Sequence, residues 1–176
     1  GGYQIAQNLI ALAFMCAIGI GTATGVRVGN AVGRGDQAGI RWAGWTGTFV
    51  VAVVMIFAGF LFFGAPGALV RIYSRDVAVI EAAVPTVMVA AGMMIFDGAQ
   101  GVLMSALRGA GDIWIPVLFH CIAFWGFMVP AAALFAFTLE FGTPGLMLGA
   151  WAGVLVSSIL LALRFNLISN RPVKRL

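Results

Sequence analysis

Charge is what this sequence has least of: 9% of its 176 residues are Asp, Glu, Lys or Arg, against 62% hydrophobic residues and a mean hydropathy of +1.05. That balance lies far outside soluble-domain usage and excludes a water-exposed globular enzyme. Cysteine is nearly absent as well. Cys16 and Cys121 show no CxxC or Cys/His spacing, which excludes a disulfide framework or a thiolate metal site and leaves them as small apolar residues. Histidine occurs once, as His120 beside Cys121, where a hydrogen bond to a neighbouring helix is the plainer use and a proton relay the sharper one. No polar stretch is long enough for a separate soluble domain. Alternation of the barrel-strand kind is missing too, which removes a membrane β-barrel.

What is present is apolar sequence in long runs. Lipid cannot hydrogen-bond a bare backbone, so a spanning chain that is not a barrel must be helical. Crossing roughly 30 Å of hydrocarbon at 1.5 Å per residue takes about 20 apolar residues. Five segments meet that length: Ile5 to Val26, Ala43 to Phe63, Ala82 to Leu107, Ile113 to Phe137 and Gly145 to Leu163. Turn chemistry separates them: the glycine-rich, charged "VGNAVGRGDQAGIR", then "GAPGALVRIYSRD", "RGAGD" and "EFGTPG". The expected fold is all-α, a polytopic transmembrane bundle of five spans, with residues 164–176 as a basic tail.

Positive charge is distributed one-sidedly. Arg27, Arg34, Arg41, Arg108, Arg164, Arg171, Lys174 and Arg175 fall on one side of the alternating spans, and Arg71 and Arg75 on the other. Arginine and lysine in short loops are retained in the cytoplasm, so the C-terminus is expected there. The formal charge of +4 expresses this bias, and the tail reads as a topology signal with no nucleic-acid partner.

Small residues crowd one end of the first span, at Gly19, Gly21, Ala23, Gly25 and Gly29, and recur at Gly98 and Gly101. Such rows let membrane helices approach closely where no hydrophobic effect pulls them together. A phosphate cradle is excluded, because no strand precedes the glycines and no Lys-Ser/Thr pair follows. A metal-clamping phosphatidyl-transferase signature fails too, since position 94 is Met and no acid stands four residues beyond Asp112. No enzymatic activity is expected.

Asp97 is the anomaly. It is an acid at about mid-depth in an apolar helix, where an ionisable group is costly and persists beside a partner, water or an ion. Such a carboxylate can trade a proton for a cation, which is a coupling step an antiporter needs. Fixing helix register by hydrogen bonds is its structural alternative. Gln100, one turn on, offers a further oxygen ligand or substrate contact, and Met93, Met94, Phe96 and Met104 are candidate cavity walls.

Several stretches, taken in order, resemble the C-terminal half of the multidrug and toxic compound extrusion (MATE) transporters. "IAQNLIALAFMCAIGIGTATGVRVGNAVGRGD" is similar to that family's eighth helix and following loop. "AVPTVMVAAGMMIFDGAQGVLMSALRGAGDIWIP" resembles the tenth helix with its L-R-G-x-G-D turn, and "FWGFMVPAAALFAF" and "GTPGLMLGAWAG" the eleventh and twelfth. The resemblance implies a twelve-helix antiporter of two lobes in the bacterial inner membrane. Its implied substrates are cationic, amphipathic drugs exchanged for Na+ or H+, with no other cofactor. It also implies that Asp97 matches a cation-site acid of the NorM subgroup, although Met93 stands where that subgroup has tyrosine. Residue 1 lies inside an apolar helix, so a preceding N-terminal lobe and seventh helix are expected. The two charged turns would face the cytoplasm, with Arg34 pairing locally with Asp36, and Arg108 with Asp112 across Gly109 and Gly111. Two other readings belong to the same sequence: a flippase for lipid-linked saccharides of the same superfamily, and an assembly fragment without transport of its own.

Overall fold

The structure, a computed structural model, describes residues 2–73, 76–139 and 141–170. Arg75, Arg171, Lys174 and Arg175, on which part of the orientation argument rests, lie outside the described residues. Helices α1 (Gly2–Gly33), α2 (Gln37–Gly64), α3 (Pro66–Tyr73) and α4 (Val77–Gly109) come first. Then α5 (Trp114–Cys121) continues through a π-helical stretch, Ile122–Met128, into α6 (Val129–Ala133) and a second one, Leu134–Thr138, before α7 (Gly142–Ser169) closes the chain. There is no strand among the described residues. Among the described residues five stretches are long and apolar enough to cross a membrane: Gln7–Gly33, Gln37–Gly64, Val77–Gly109, Trp114–Thr138 and Gly145–Ser169.

These are the five predicted segments, but most run further. The first was expected to end near Val26 and continues to Gly33 because its glycines are packed. A Cβ on Gly25 would lie 2.9 Å from Ser105 O, and one on Gly29 3.4 Å from Gly109 O. The helix stops where Gly35 takes φ +67, a conformation that suits glycine, and Asp36 N returns to Ala31 O at 2.9 Å. Asp36 then starts α2 six residues earlier than expected: its Oδ1 accepts from Gly39 N at 2.8 Å, satisfying one orphan donor of the first turn. Asp76 does the same for α4, accepting from Ala78 N at 3.0 Å. The stretch after α2, predicted as a loop, contains α3, which opens on Pro66 and buries Val70.

Helix α4 is the centre of the bundle, packed along α1, α2 and α7. Toward its start, Val87, Ala91 and Met94 share one apolar cluster with Val51 and Met55 of α2; toward its end, Leu103 and Leu107 share a second with Val28, Leu161 and Phe165. The α1–α4 crossing is built on Gly21, Gly25 and Gly29 facing Gly101, Ser105 and Gly109, so the small-residue row does serve close packing. Gly19 lies off that face, with nothing within 4 Å of its Cβ position.

Among the described residues the fourth span packs chiefly on α7, against a second row of Gly145, Gly149 and Gly153 that meets Phe135, Ala132 and Met128. Its wide turns are explicit: Val129 N reaches Phe124 O and Leu139 N reaches Leu134 O, five residues back. Pro130 gives the physical reason for the first, since it brings no N–H and its ring crowds the carbonyl four residues earlier.

One end of the bundle collects the Gly33–Asp36 turn, the Arg108–Asp112 turn and the end of α7. Gln37 Nε2 donates to Ser169 O at 2.9 Å, and Arg164 Nε to Asp112 Oδ2 at 2.7 Å. Arg27, Arg34, Arg41, Arg108 and Arg164 therefore share that end, and Arg71 on α3 lies at the other.

Candidate functional site

Asp97 follows from the placement of α4. Twelve residues separate it from the helix's last residue, Gly109, or about 18 Å at 1.5 Å per residue, well inside a bilayer's apolar layer. Neighbouring α7 holds this stretch by side chain to backbone bonds. Ser158 Oγ lies 2.8 Å from both Phe96 O and Val154 O, and Trp151 Nε1 donates to Val89 O at 3.2 Å. With one proton to give, the serine hydroxyl divides between its own helix and the carbonyl just before Asp97.

Asp97 itself is half-buried, and its Oδ1 accepts from Gln100 Nε2 at 2.9 Å. A carboxylate only accepts, which fixes the amide nitrogen toward Asp97 and turns the amide oxygen away. Gln100 is 6% exposed, and its Oε1 accepts a hydrogen bond from none of the described residues. A buried amide oxygen without a donor costs about 1–3 kcal/mol, so it calls for a ligand or donor from outside these helices. Gln100 lines a cavity of about 370 Å³ between α1, α4 and α5, walled also by Phe14, Thr22, Met104, Arg108 and His120.

The structure thus brings Gln100 and Met104 to one cavity, and Asp97, not itself among the walls, is tied to it through Gln100. Met93 is buried, Met94 belongs to the core, and Phe96 packs edge-on to Trp151 with ring centroids 5.9 Å apart; none of the three is among that cavity's walls. His120 makes the plainer contact expected of it, with Nδ1 3.2 Å from Ser157 Oγ on α7.

Of the charged turns, one behaves as read and one does not. Arg34 stands 3.9 Å from Asp36, both well exposed. Asp112 does not pair with Arg108 as expected: it pairs with Arg164 of α7, side chains 14% and 18% exposed. Gly111, at φ +83, lets Asp112 N return to Leu107 O at 2.9 Å, and that turn carries the carboxylate toward α7. Gly109 fits against the Gly25 backbone, where any side chain would collide.

Sequence reasoning missed Ser157, Ser158 and Arg164 as positioning residues. The signal was there for the serines, a polar pair in the otherwise apolar run from Gly145 to Leu163. Chemically, the Asp97 carboxylate presents hard oxygen donors, suited to a proton or a small hard cation rather than a soft metal, and the Gln100 amide oxygen, turned away from it, is a second hard acceptor without a donor.

Comparison with known proteins gives the following. The MatE family model matches residues 1–134. The chain is 36% identical over 169 residues to the probable multidrug resistance protein NorM of Xanthomonas campestris pv. campestris, covering 96% of this chain and 37% of that protein. It is 35% identical over 170 residues to the multidrug resistance protein NorM of Burkholderia vietnamiensis, covering 94% and 37%. In fold it is similar to the crystal structure of the eukaryotic MATE transporter AtDTX14, with a TM-score of 0.88 and 24% identity over 98% of this chain and 40% of that one. An inward-facing multidrug resistance MATE family transporter of the MOP superfamily gives a TM-score of 0.72 and 20% identity, covering 92% and 37%. The chain spans a little over a third of the length of the curated relatives it matches.

Proposed function

The chain belongs to the MatE (multidrug and toxic compound extrusion) family, and from that premise we propose that it forms most of the C-terminal lobe of a twelve-helix secondary transporter. The transporter exports cationic, amphipathic compounds in exchange for Na+ or H+. The relatives' names supply the multidrug part of this reading, and the acid at mid-depth supplies the cationic part. Asp97 is the coupling residue and Gln100 its helper. The observation that carries this is the buried Gln100 Oε1, left without a donor beside a carboxylate that Gln100 Nε2 already holds.

In such a cycle the proton or Na+ occupies Asp97 in one conformation and leaves it in the other. A ligand shifts that equilibrium only by binding the two conformations unequally. An N-terminal lobe supplies the facing half of the path, since alternating access needs two halves. No resident cofactor is required. Gathering five arginines at one end supports placing that end, and the C-terminus, in the cytoplasm, and the bacterial relatives support an inner-membrane protein.

The test is transport by the intact gene product in proteoliposomes, with tetraphenylphosphonium as a lipophilic-cation probe. An imposed Na+ or proton gradient drives the probe against its own gradient on this reading. Failure of both gradients with correctly inserted protein overturns it.

A further inference from the structure

Away from Asp97, a groove of about 510 Å³ opens between the last turns of α1 and the first turns of α2, lined by Arg27, Asn30, Arg34, Trp42 and Thr46. It adjoins a hollow of about 420 Å³ whose walls are Arg41, Trp45 and Phe49 together with the same Trp42 and Thr46. One half is cationic and hydrogen-bonding, the other aromatic, and Trp42 stands at the boundary. The aromatic half continues along α2 as a fully open apolar face: Phe49 is 69% exposed, Phe57 74% and Phe60 73%.

We propose that this composite groove holds one anionic phospholipid, its phosphate against Arg27 and Arg34 and an acyl chain along Trp45 and Phe49. Depth agrees. The 27-residue span ending at Gly33 is about 40 Å long, roughly 10 Å more than the hydrocarbon layer, so its last turns reach the headgroup level. Charge agrees as well. The nearby acid, Asp36, is occupied in capping Gly39 N at 2.8 Å and stands 3.9 Å from Arg34, so the three arginines leave the groove net cationic. Basic pockets between helices recognise anionic headgroups, and a tryptophan at the boundary suits a ring with one wet edge. A zwitterionic lipid would carry an ammonium toward the guanidinium groups. Free phosphate would leave the aromatic half unused.

Native mass spectrometry of the intact gene product in detergent, with equimolar phosphatidylglycerol and phosphatidylcholine, tests this. The intact protein retains phosphatidylglycerol in preference to phosphatidylcholine. Each arginine near an anionic headgroup is worth about fivefold. Arg27→Gln with Arg34→Gln therefore lowers the preference at least about tenfold, while Arg27→Lys with Arg34→Lys keeps most of it. Arg71→Gln, at the opposite end, leaves it unchanged. Both arginines are exposed, and circular dichroism of the variants verifies that the helices persist. Equal retention of the two lipids by the unsubstituted chain overturns the proposal, as does a preference that survives the glutamine pair. Displacement of the lipid by millimolar inorganic phosphate assigns the groove to a free anion and overturns it too.

Discussion

Arg164 Nε donates to Asp112 Oδ2 at 2.7 Å, tying the turn that ends α4 to the last helix across 52 residues of sequence. Both side chains are less than a fifth exposed, so screening by water is incomplete and removal of one partner strands the other. Asp112→Asn and Arg164→Gln should each cost about 2 kcal/mol, and the double variant distinctly less than their sum. Thermal unfolding in detergent measures this; additive losses would show that the pair is not coupled.

The α1–α4 crossing gives a positional contrast. Gly109→Val sets a branched side chain against the Gly25 backbone and should cost about 2 kcal/mol or more, because the clash is with main chain that cannot rotate away. Gly19→Ala, with nothing within 4 Å, should be neutral or slightly stabilising. Unfolding midpoints and monodispersity of the two variants check both expectations.

Helix α2 begins where it does because of one side chain. Asp36→Ala removes the acceptor for Gly39 N and should destabilise by about 1 kcal/mol. Asp36→Asn, which keeps the acceptor, should recover most of that loss in the same unfolding measurement.

Gln100→Leu separates stability from coupling. It removes a buried oxygen that no described residue satisfies, but also the Nε2 donor that holds Asp97 Oδ1, so the two effects oppose and thermal stability should change by less than about 1 kcal/mol. Ion-driven export by the intact gene product should nevertheless fall, since the helper oxygen beside Asp97 is gone. Unchanged export would remove Gln100 from the site and leave Asp97 alone.

Much of this fold was legible in the sequence for one reason: a run of about 20 apolar residues has few structural solutions in lipid. The five spans follow from that, and the break residues mark most of their ends. What could not be read was the contact each end makes. Gly25 and Gly29 look like a helix terminus and instead prolong α1, because Ser105 and Gly109 of a distant helix lie against them. The small-residue row could be seen, but its facing could not, and Gly19 turned out to lie off it. Asp97 stood out as a carboxylate without an obvious partner, and Gln100 was readable three residues on. Ser158, 62 residues from Phe96, and Arg164, 52 from Asp112, needed the packing of α7 onto α4 and its turn to be known first. The wide turns around Pro130 carried a sequence signal that an apolar-run reading passes over.

Asp97 is where the central claim is most exposed. The direct measurement is ion-driven export of tetraphenylphosphonium by the intact gene product carrying Asp97→Asn, in proteoliposomes matched for inserted protein. The neutral amide keeps the size and a hydrogen-bonding end but cannot take up or release the coupling charge. Export driven by either ion gradient should fall to background while the thermal midpoint stays close to the parent's. Full export by Asp97→Asn would contradict the coupling role and reduce Asp97 to a register-fixing hydrogen-bond partner of Gln100.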